Sequence, residues 1–329
     1  MYNYVIYNDS FKGLDELFFL DIASKKNVKL IKREDISKFN LINTICKAHL
    51  SHKINNIVDM PFKSIWYSKL FNFSNLDKEK LCFIFTPGWY YPDFISYLKR
   101  KFPESKFVFY FSDTIESKMR KIKALNIDYL KSNFDLVLSY NQKDVNFYGL
   151  KYSPIYYSKV SEEKISKLNI YPKSDVVFIG AARNRIKEIE DSFKLFKSAG
   201  VSCFFYVVIN EGTITEEIEG IVYSKEIMPF NEYLSRTFSA KCILEILDSN
   251  TEGSTLRFWE AIMYNKKLIT NYPHAYKNQF YDPEFIQYFK EINSIDTDFI
   301  KKNTIPDYKY NNQNSPIKFL EFIESELKI

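Results

Sequence analysis

Lys241 to Thr270 reads KCILEILDSNTEGSTLRFWEAIMYNKKLIT, and this stretch decides the fold. Cys242 to Leu247 is an apolar run of the length and composition of a buried strand. A polar loop, Asp248 to Gly253, follows, and Ser254 and Thr255 stand where a helix takes a hydroxyl cap. Leu256, Phe258, Trp259, Ile262 and Met263 then recur at near-helical spacing, Asn265 ends the helix, and Lys267 to Thr270 opens another strand. Strand, loop, helix and strand make a β-α-β crossover, and in open parallel sheets ligands sit at the carboxyl ends of the strands. A binding site is therefore expected around Asp248 to Arg257.

The loop is chemically specific. Gly253 lets backbone approach a ligand closely, and the amides of the first helical turn, around Ser254 and Thr255, favour an anion such as a diphosphate. Arg257, one turn in, adds a permanent charge with a planar fork that matches phosphate oxygens. Glu252 and Glu260 have seven residues between them. Such a pair also occurs by chance on surface helices; here it follows a buried strand, brackets a Gly-Ser-Thr turn and precedes a second strand.

Outward from this stretch, 329 residues suffice for two domains with separate cores. With 46% hydrophobic and 26% charged residues the composition is that of an ordinary globular chain, and no apolar run approaches the roughly 18 residues of a membrane span. The opening MYNYVIYNDSF lacks the basic region and cleavage site of a signal peptide and reads as a first strand, so a cytoplasmic location is expected. Cys46, Cys82, Cys203 and Cys242 are scattered without metal-ligand spacing and read as buried thiols. Three histidines, two of them His49 and His52, do not make a metal cluster.

Charge is unevenly placed: residues 1–157 carry 24 Lys and Arg against 16 Asp and Glu, residues 158–329 carry 22 against 25. The first half thus prefers an anionic partner. Nucleic acid is disfavoured, because the charge is nearly all lysine spread along helices and no helix-turn-helix or RNA-recognition signature is present. A peripheral contact with anionic lipid on the inner face of the membrane, a lipid diphosphate acceptor and a merely solvated lysine face all fit the asymmetry.

In chain order, strands are expected at Tyr4 to Tyr7, Val28 to Ile31, Ile54 to Val58, Leu81 to Thr86, Lys106 to Ser112 and Asp135 to Tyr140, with helices between, among them Leu14 to Ala23. Trp89, Tyr90 and Tyr91 follow a strand end, as an aromatic platform or, more commonly, as core. Asp113 stands at the carboxyl end of a central-looking strand, where it could take a proton from an acceptor hydroxyl; it could equally be the N-cap of the helix from Ile115. Lys151 to Ser174, with Pro154 and Pro172, reads as a linker, after which the alternation resumes. Val176 to Ile179 is a strand, Gly180 to Arg185 a small-residue loop carrying Arg183 and Arg185, Ile186 to Ala199 a helix, Val201 to Ile209 a strand and Ile221 to Phe230 another. Gly180 belongs to no G-x-G-x-x-G fingerprint, which argues against NAD or FAD, and a single loop with two arginines suits a phosphate.

Several of these segments together resemble a known family. Asp175-Val-Val-Phe-Ile-Gly180, Met228-Pro-Phe-Asn-Glu-Tyr233, Glu252-Gly-Ser-Thr-Leu-Arg257 with Glu260-Ala261, Lys266-Lys-Leu-Ile-Thr-Asn271 and Phe280-Tyr-Asp-Pro283 look like bacterial capsule and lipopolysaccharide glycosyltransferases of GT-B type. So do Ser112-Asp113 and Phe134-Asp-Leu-Val-Leu-Ser139 with Asp144 and Tyr148-Gly149. The likeness runs from Lys106 to Pro283 and rests on order and spacing; relatives often carry Gln where Glu252 stands. It implies an α/β fold of two facing Rossmann-like domains, parallel sheets flanked by helices. The expected divisions are an acceptor-binding domain over 1–157, a linker over 158–173, a nucleotide-sugar domain over 174–310 and a helix over 311–329 that returns to the first domain.

The activity implied is transfer of a sugar from a nucleotide sugar to a surface polysaccharide or lipid-linked oligosaccharide. On that resemblance Glu252 contacts the donor sugar, Glu260 holds the ribose hydroxyls, and Ile227 and Met228 line the nucleobase. No obligatory metal is implied, so Arg183, Arg185, Arg257 and the amides near Ser254 must neutralise the leaving diphosphate. Asp296-Thr-Asp298 copies a manganese-binding triplet of another transferase architecture but lies in a polar tail and reads as a solvated loop. Two rivals stay open: a sugar-nucleotide epimerase on the same architecture, and a non-catalytic binding protein.

Overall fold

The computed structural model describes residues 2–8, 15–32, 40–70, 80–210 and 217–329. Asp9 to Phe11 of the first expected strand, and Leu14 at the start of the first expected helix, lie outside the described residues. The chain divides into two compact units, one of residues 1–158 with 315–329, the other of residues 159–314.

The first unit is a six-stranded sheet, with β1 Asn3–Tyr7, β2 Val28–Ile31, β3 Leu81–Phe85, β4 Lys106–Phe111, β5 Leu136–Ser139 and β6 Lys151–Tyr152 in the order β2-β1-β3-β4-β5-β6. Every pairing is parallel. The strands are apolar on both faces because both are covered. Leu81, Phe83 and Phe85 of β3 face one cluster with Tyr7, Phe94, Phe107 and Phe109, whereas Cys82 and Ile84 face another with Tyr4, Ile6, Val108 and Tyr110. Much of the aromatic content is spent here. Trp89, Tyr90 and Tyr91 are buried, which makes them core and removes the platform reading. The second cluster is closed by the helix Pro316–Leu327, N-capped by Ser315, whose Phe319 packs on the rings of Tyr110 and Tyr156 at centroid distances of 4.9 and 5.2 Å. Burial of Phe319, Leu320 and Ile323 is worth about 1.5–3 kcal/mol each.

The second unit has β7 Ser174–Ala181, β8 Cys203–Val208, β9 Ile221–Ser224, β10 Ala240–Glu245, β11 Lys267–Thr270 and β12 Ile286–Tyr288, in the order β12-β11-β10-β7-β8-β9 and again all parallel. Both units are thus α/β and Rossmann-like, with helices on parallel sheets. The decisive stretch forms β10, a loop, the helix Leu256–Met263 and β11.

Three expectations are corrected. Ile54 to Val58 is not a strand: His52–Asn55 is a helical turn capped by Ser51, and Ile57 and Val58 are exposed. The strand from Ile221 stops at Ser224, and the next helix already starts at Phe230. Asp296 does not sit in a free loop but caps the helix Thr297–Lys301, accepting from the Asp298 amide at 2.9 Å.

Candidate functional site

In the second sheet, β7 is followed outward by β8 and β9 on one side, and β10, β11 and β12 lie on the other. The strand order therefore reverses between β7 and β10, and the carboxyl ends of strands at such a reversal are where ligands of open α/β sheets bind. The exit loop of β7 carries Arg183 and Arg185; the exit loop of β10 leads to Arg257. The structure brings all three to this point.

Arg257 donates from Nε (3.2 Å) and Nη2 to the Ile179 carbonyl near the end of β7, with its guanidinium 5.4 Å from the Phe178 ring centre. Gly180 makes room for it: a Cβ at this position would overlap Arg257 Nη2 and stand 3.2 Å from Cζ. Arg185 is buried, donating from Nη1 to the Ile246 carbonyl and from Nη2 to Ala181 O at 3.0 Å, while its Nε has no partner. Burial, then the charges of Arg257 and Arg183, push its pKa down to about 9. Arg183 sits in the left-handed region at φ 48°, a strained conformation of the kind that gathers at binding sites. Its Nη1 lies 4.0 Å from Asp248, and Asn184 donates to Ser249 Oγ at 2.8 Å, which ties the two loops together. The charges of Arg183 and Arg257 thus act on the buried Arg185 guanidinium, and an added anion would offset that repulsion.

The remaining predicted residues fall into distinct surroundings. Thr255 is the helix cap, its Oγ1 accepting from the Arg257 amide at 3.3 Å. Ser254 is buried, and its Oγ accepts from Trp259 Nε1 at 3.1 Å. Gly253 is buried and Glu252 half-buried in the loop. Glu260 is buried; its Oε2 accepts from Tyr233 OH, and its Oε1 has no partner. Desolvation raises its pKa to about 8, against the lowering effects of the Tyr233 hydrogen bond and of Arg257. Met228 is buried but its neighbour Ile227 is 82% exposed, so the two do not share one surface.

Glu245 was not singled out from the sequence. It ends β10, is fully buried, and accepts from Thr255 Oγ1 and from Thr270 Oγ1, the latter at 2.6 Å. It thereby links the helix cap to β11 directly behind the arginines. A carboxylate inside the run Cys242 to Leu247 was the available signal, since a charge in a buried strand needs partners close by.

In the first unit Asp113 follows β4. Its Oδ1 accepts from the Thr114 amide at 2.9 Å, its Oδ2 from Ser117 Oγ at 3.2 Å, and Lys118 Nζ stands 3.7 Å away with its side chain buried. The helix Ile115–Lys121 is capped by Thr114, not by Asp113. Asp144 accepts from the Ile115 amide at 2.9 Å, and burial raises its pKa. A cavity with room for about one water molecule lies at the reversal between β1 and β3, lined by Asn8, Phe18, Phe19, Thr86, Tyr110 and Ser112.

Two six-stranded parallel sheets flanked by helices define the class: an α/β protein of two Rossmann-like units, the second with three arginines gathered at the carboxyl ends of β7 and β10. No protein-family description and no curated sequence matches the chain. Among solved structures, the HepE protein of Anabaena in complex with UDP and glucose is similar over 100% of both chains at 10% identity and TM-score 0.49. The glycotransferase of kitacinnamycin is similar over 99% of this chain and 98% of its own at 7% identity and TM-score 0.48. A trehalose-phosphate synthase (UDP-forming) from Burkholderia vietnamiensis covers 82% and 84% at 9% identity and TM-score 0.45. At these values no residue role transfers to this chain.

Proposed function

We propose that the chain is a metal-independent glycosyltransferase of GT-B type that moves a sugar from a nucleotide sugar to a glycan or lipid-linked acceptor of the cell surface. The observation that carries this reading is the convergence of Arg183, Arg185 and Arg257 on the carboxyl ends of β7 and β10, close enough that the charges of Arg183 and Arg257 lower the pKa of the buried Arg185. A diphosphate relieves that repulsion, and the arginines stabilise it as it leaves, which is the electrostatic work a metal would otherwise perform. The buried, unpartnered Oε1 of Glu260, one turn beyond Arg257, suits a ribose hydroxyl as donor. Glu252 orients the donor sugar. In an inverting reaction Asp113 is the base; D113N that turns over as wild type removes that role.

The test is thermal stability against UDP-, GDP-, CMP- and dTDP-sugars, with and without magnesium. A ligand bound only to the native state adds about 2.7 kcal/mol at a hundred times its dissociation constant. A shift with one nucleotide, independent of magnesium and lost in R257A, is expected. No shift with any donor refutes the donor site, and consumption of donor without acceptor assigns an epimerase instead.

A further inference from the structure

Among the described residues, exposed large apolar side chains crowd into one segment of the first unit. Ile57, Val58, Phe62 and Ile65 are 82%, 60%, 76% and 55% exposed, and Leu41 and Ile45 are exposed on the preceding helix Asn40–His49. This is not a loose loop. The Met60 amide donates to Asn55 Oδ1 at 2.9 Å, and the turn Lys63–Trp66 ends in the buried Trp66. Asn56 clasps a neighbouring strand of chain, donating from Nδ2 to Lys121 O at 2.7 Å and accepting the Lys123 amide at 3.0 Å. Phe62 is held at φ 59°, a conformation that an aromatic residue adopts only under constraint from its surroundings. The fold thus spends strain to present an apolar side chain to solvent.

The same clasp sets positive charge beside the apolar tip. Lys53, Lys121 and Lys123 are exposed, and none has an acidic partner among the described residues; the nearby acids Asp59 and Glu116 are paired with Lys63 and Arg120. Apolar side chains framed by unpaired lysines match the interface of an anionic bilayer, where the former enter the acyl boundary and the latter meet the headgroups. A second copy of the chain fits less well, because a two-fold contact would set lysines against lysines.

We infer that Ile57, Val58, Phe62 and Ile65, with Lys53, Lys121 and Lys123, form a surface that docks on anionic lipid. The inference goes beyond the donor-site reading and does not depend on it. It is tested by co-sedimentation of the whole chain with vesicles of phosphatidylglycerol mixed with phosphatidylcholine, against phosphatidylcholine alone. The wild type is expected to bind the anionic vesicles at least tenfold more tightly and to be released by salt. K121A/K123A should weaken binding about 25-fold, about fivefold per lysine. I57S/F62S should weaken it at least tenfold while melting as the wild type does, since both side chains are exposed. Equal binding to neutral vesicles, or binding unchanged in I57S/F62S, overturns the inference. So does a self-association in solution that F62S abolishes, which would make the surface a protein interface.

Discussion

Replacing Gly180 by Ala tests the proposed anion site without touching a charged group. The new Cβ would overlap Arg257 Nη2, so the guanidinium must leave the Ile179 carbonyl that now aims it. Because the obstructing atom is the end of a flexible side chain, the fold should tolerate the change; the loss falls on the position of the charge. A charge-assisted hydrogen bond is worth about 1.5–3 kcal/mol, so R257A should weaken nucleotide diphosphate binding about 10- to 150-fold. G180A should lose most of the same amount. The double variant G180A/R257A should bind no worse than R257A alone, because both changes remove one interaction. Isothermal titration of the three variants with the nucleotide that shifts the melting temperature measures this cycle. G180A binding as wild type, or losses that simply add, would refute the assignment of Arg257 to the anion through its seat on β7.

Three further outcomes follow from buried groups. Glu260 ionises near pH 4.3 in an unfolded chain and near 8 in the folded one. Between those values the native state holds a proton the unfolded state has lost, so stability falls as pH rises across that window, and E260Q should flatten this slope in a melting series. T270V strands the buried Oε2 of Glu245 and should cost about 1–3 kcal/mol in urea unfolding with an unchanged denaturant slope. F319A should cost about 3–5 kcal/mol in the first unit, read as early loss of its own unfolding transition.

The alternation of strands and helices was legible because each β strand here is a short apolar run with a polar exit, and each cap is a local signal. Thr255 and Gly149 illustrate this: a hydroxyl before an apolar-periodic run, and a glycine at φ 63° that closes the helix Gln142–Tyr148. Arg183, Arg185 and Arg257 were legible as candidates from residue type and place. Their geometry was not, since Arg257 is seated on a carbonyl 78 positions away. Glu245 escaped notice for the same reason: its two hydroxyl partners lie on the following helix and strand, and only folding brings them to it. Ile57 and Val58 misled in the opposite direction. Apolarity there reads as burial, and in the structure it is displayed on the surface beside a Ser51-capped turn.

The return of Ser315–Ile329 to the first unit also has a temporal side. The second unit is continuous in sequence, so its closure needs no residue beyond Asn314. That of the first does. Until Phe319, Leu320 and Ile323 arrive, the face of its sheet built from Tyr4, Ile6, Ile84 and Tyr110 is covered only in part, with Phe19 and Ile22 of the helix Asp15–Ala23 packed on it. At about 5–20 residues per second, roughly 160 residues of synthesis separate Ser158 from that helix, about 8–30 s during which the earlier half waits for the later one. The unit begun first is therefore the one completed last, and a nascent chain stalled before Pro316 leaves part of that apolar sheet face open.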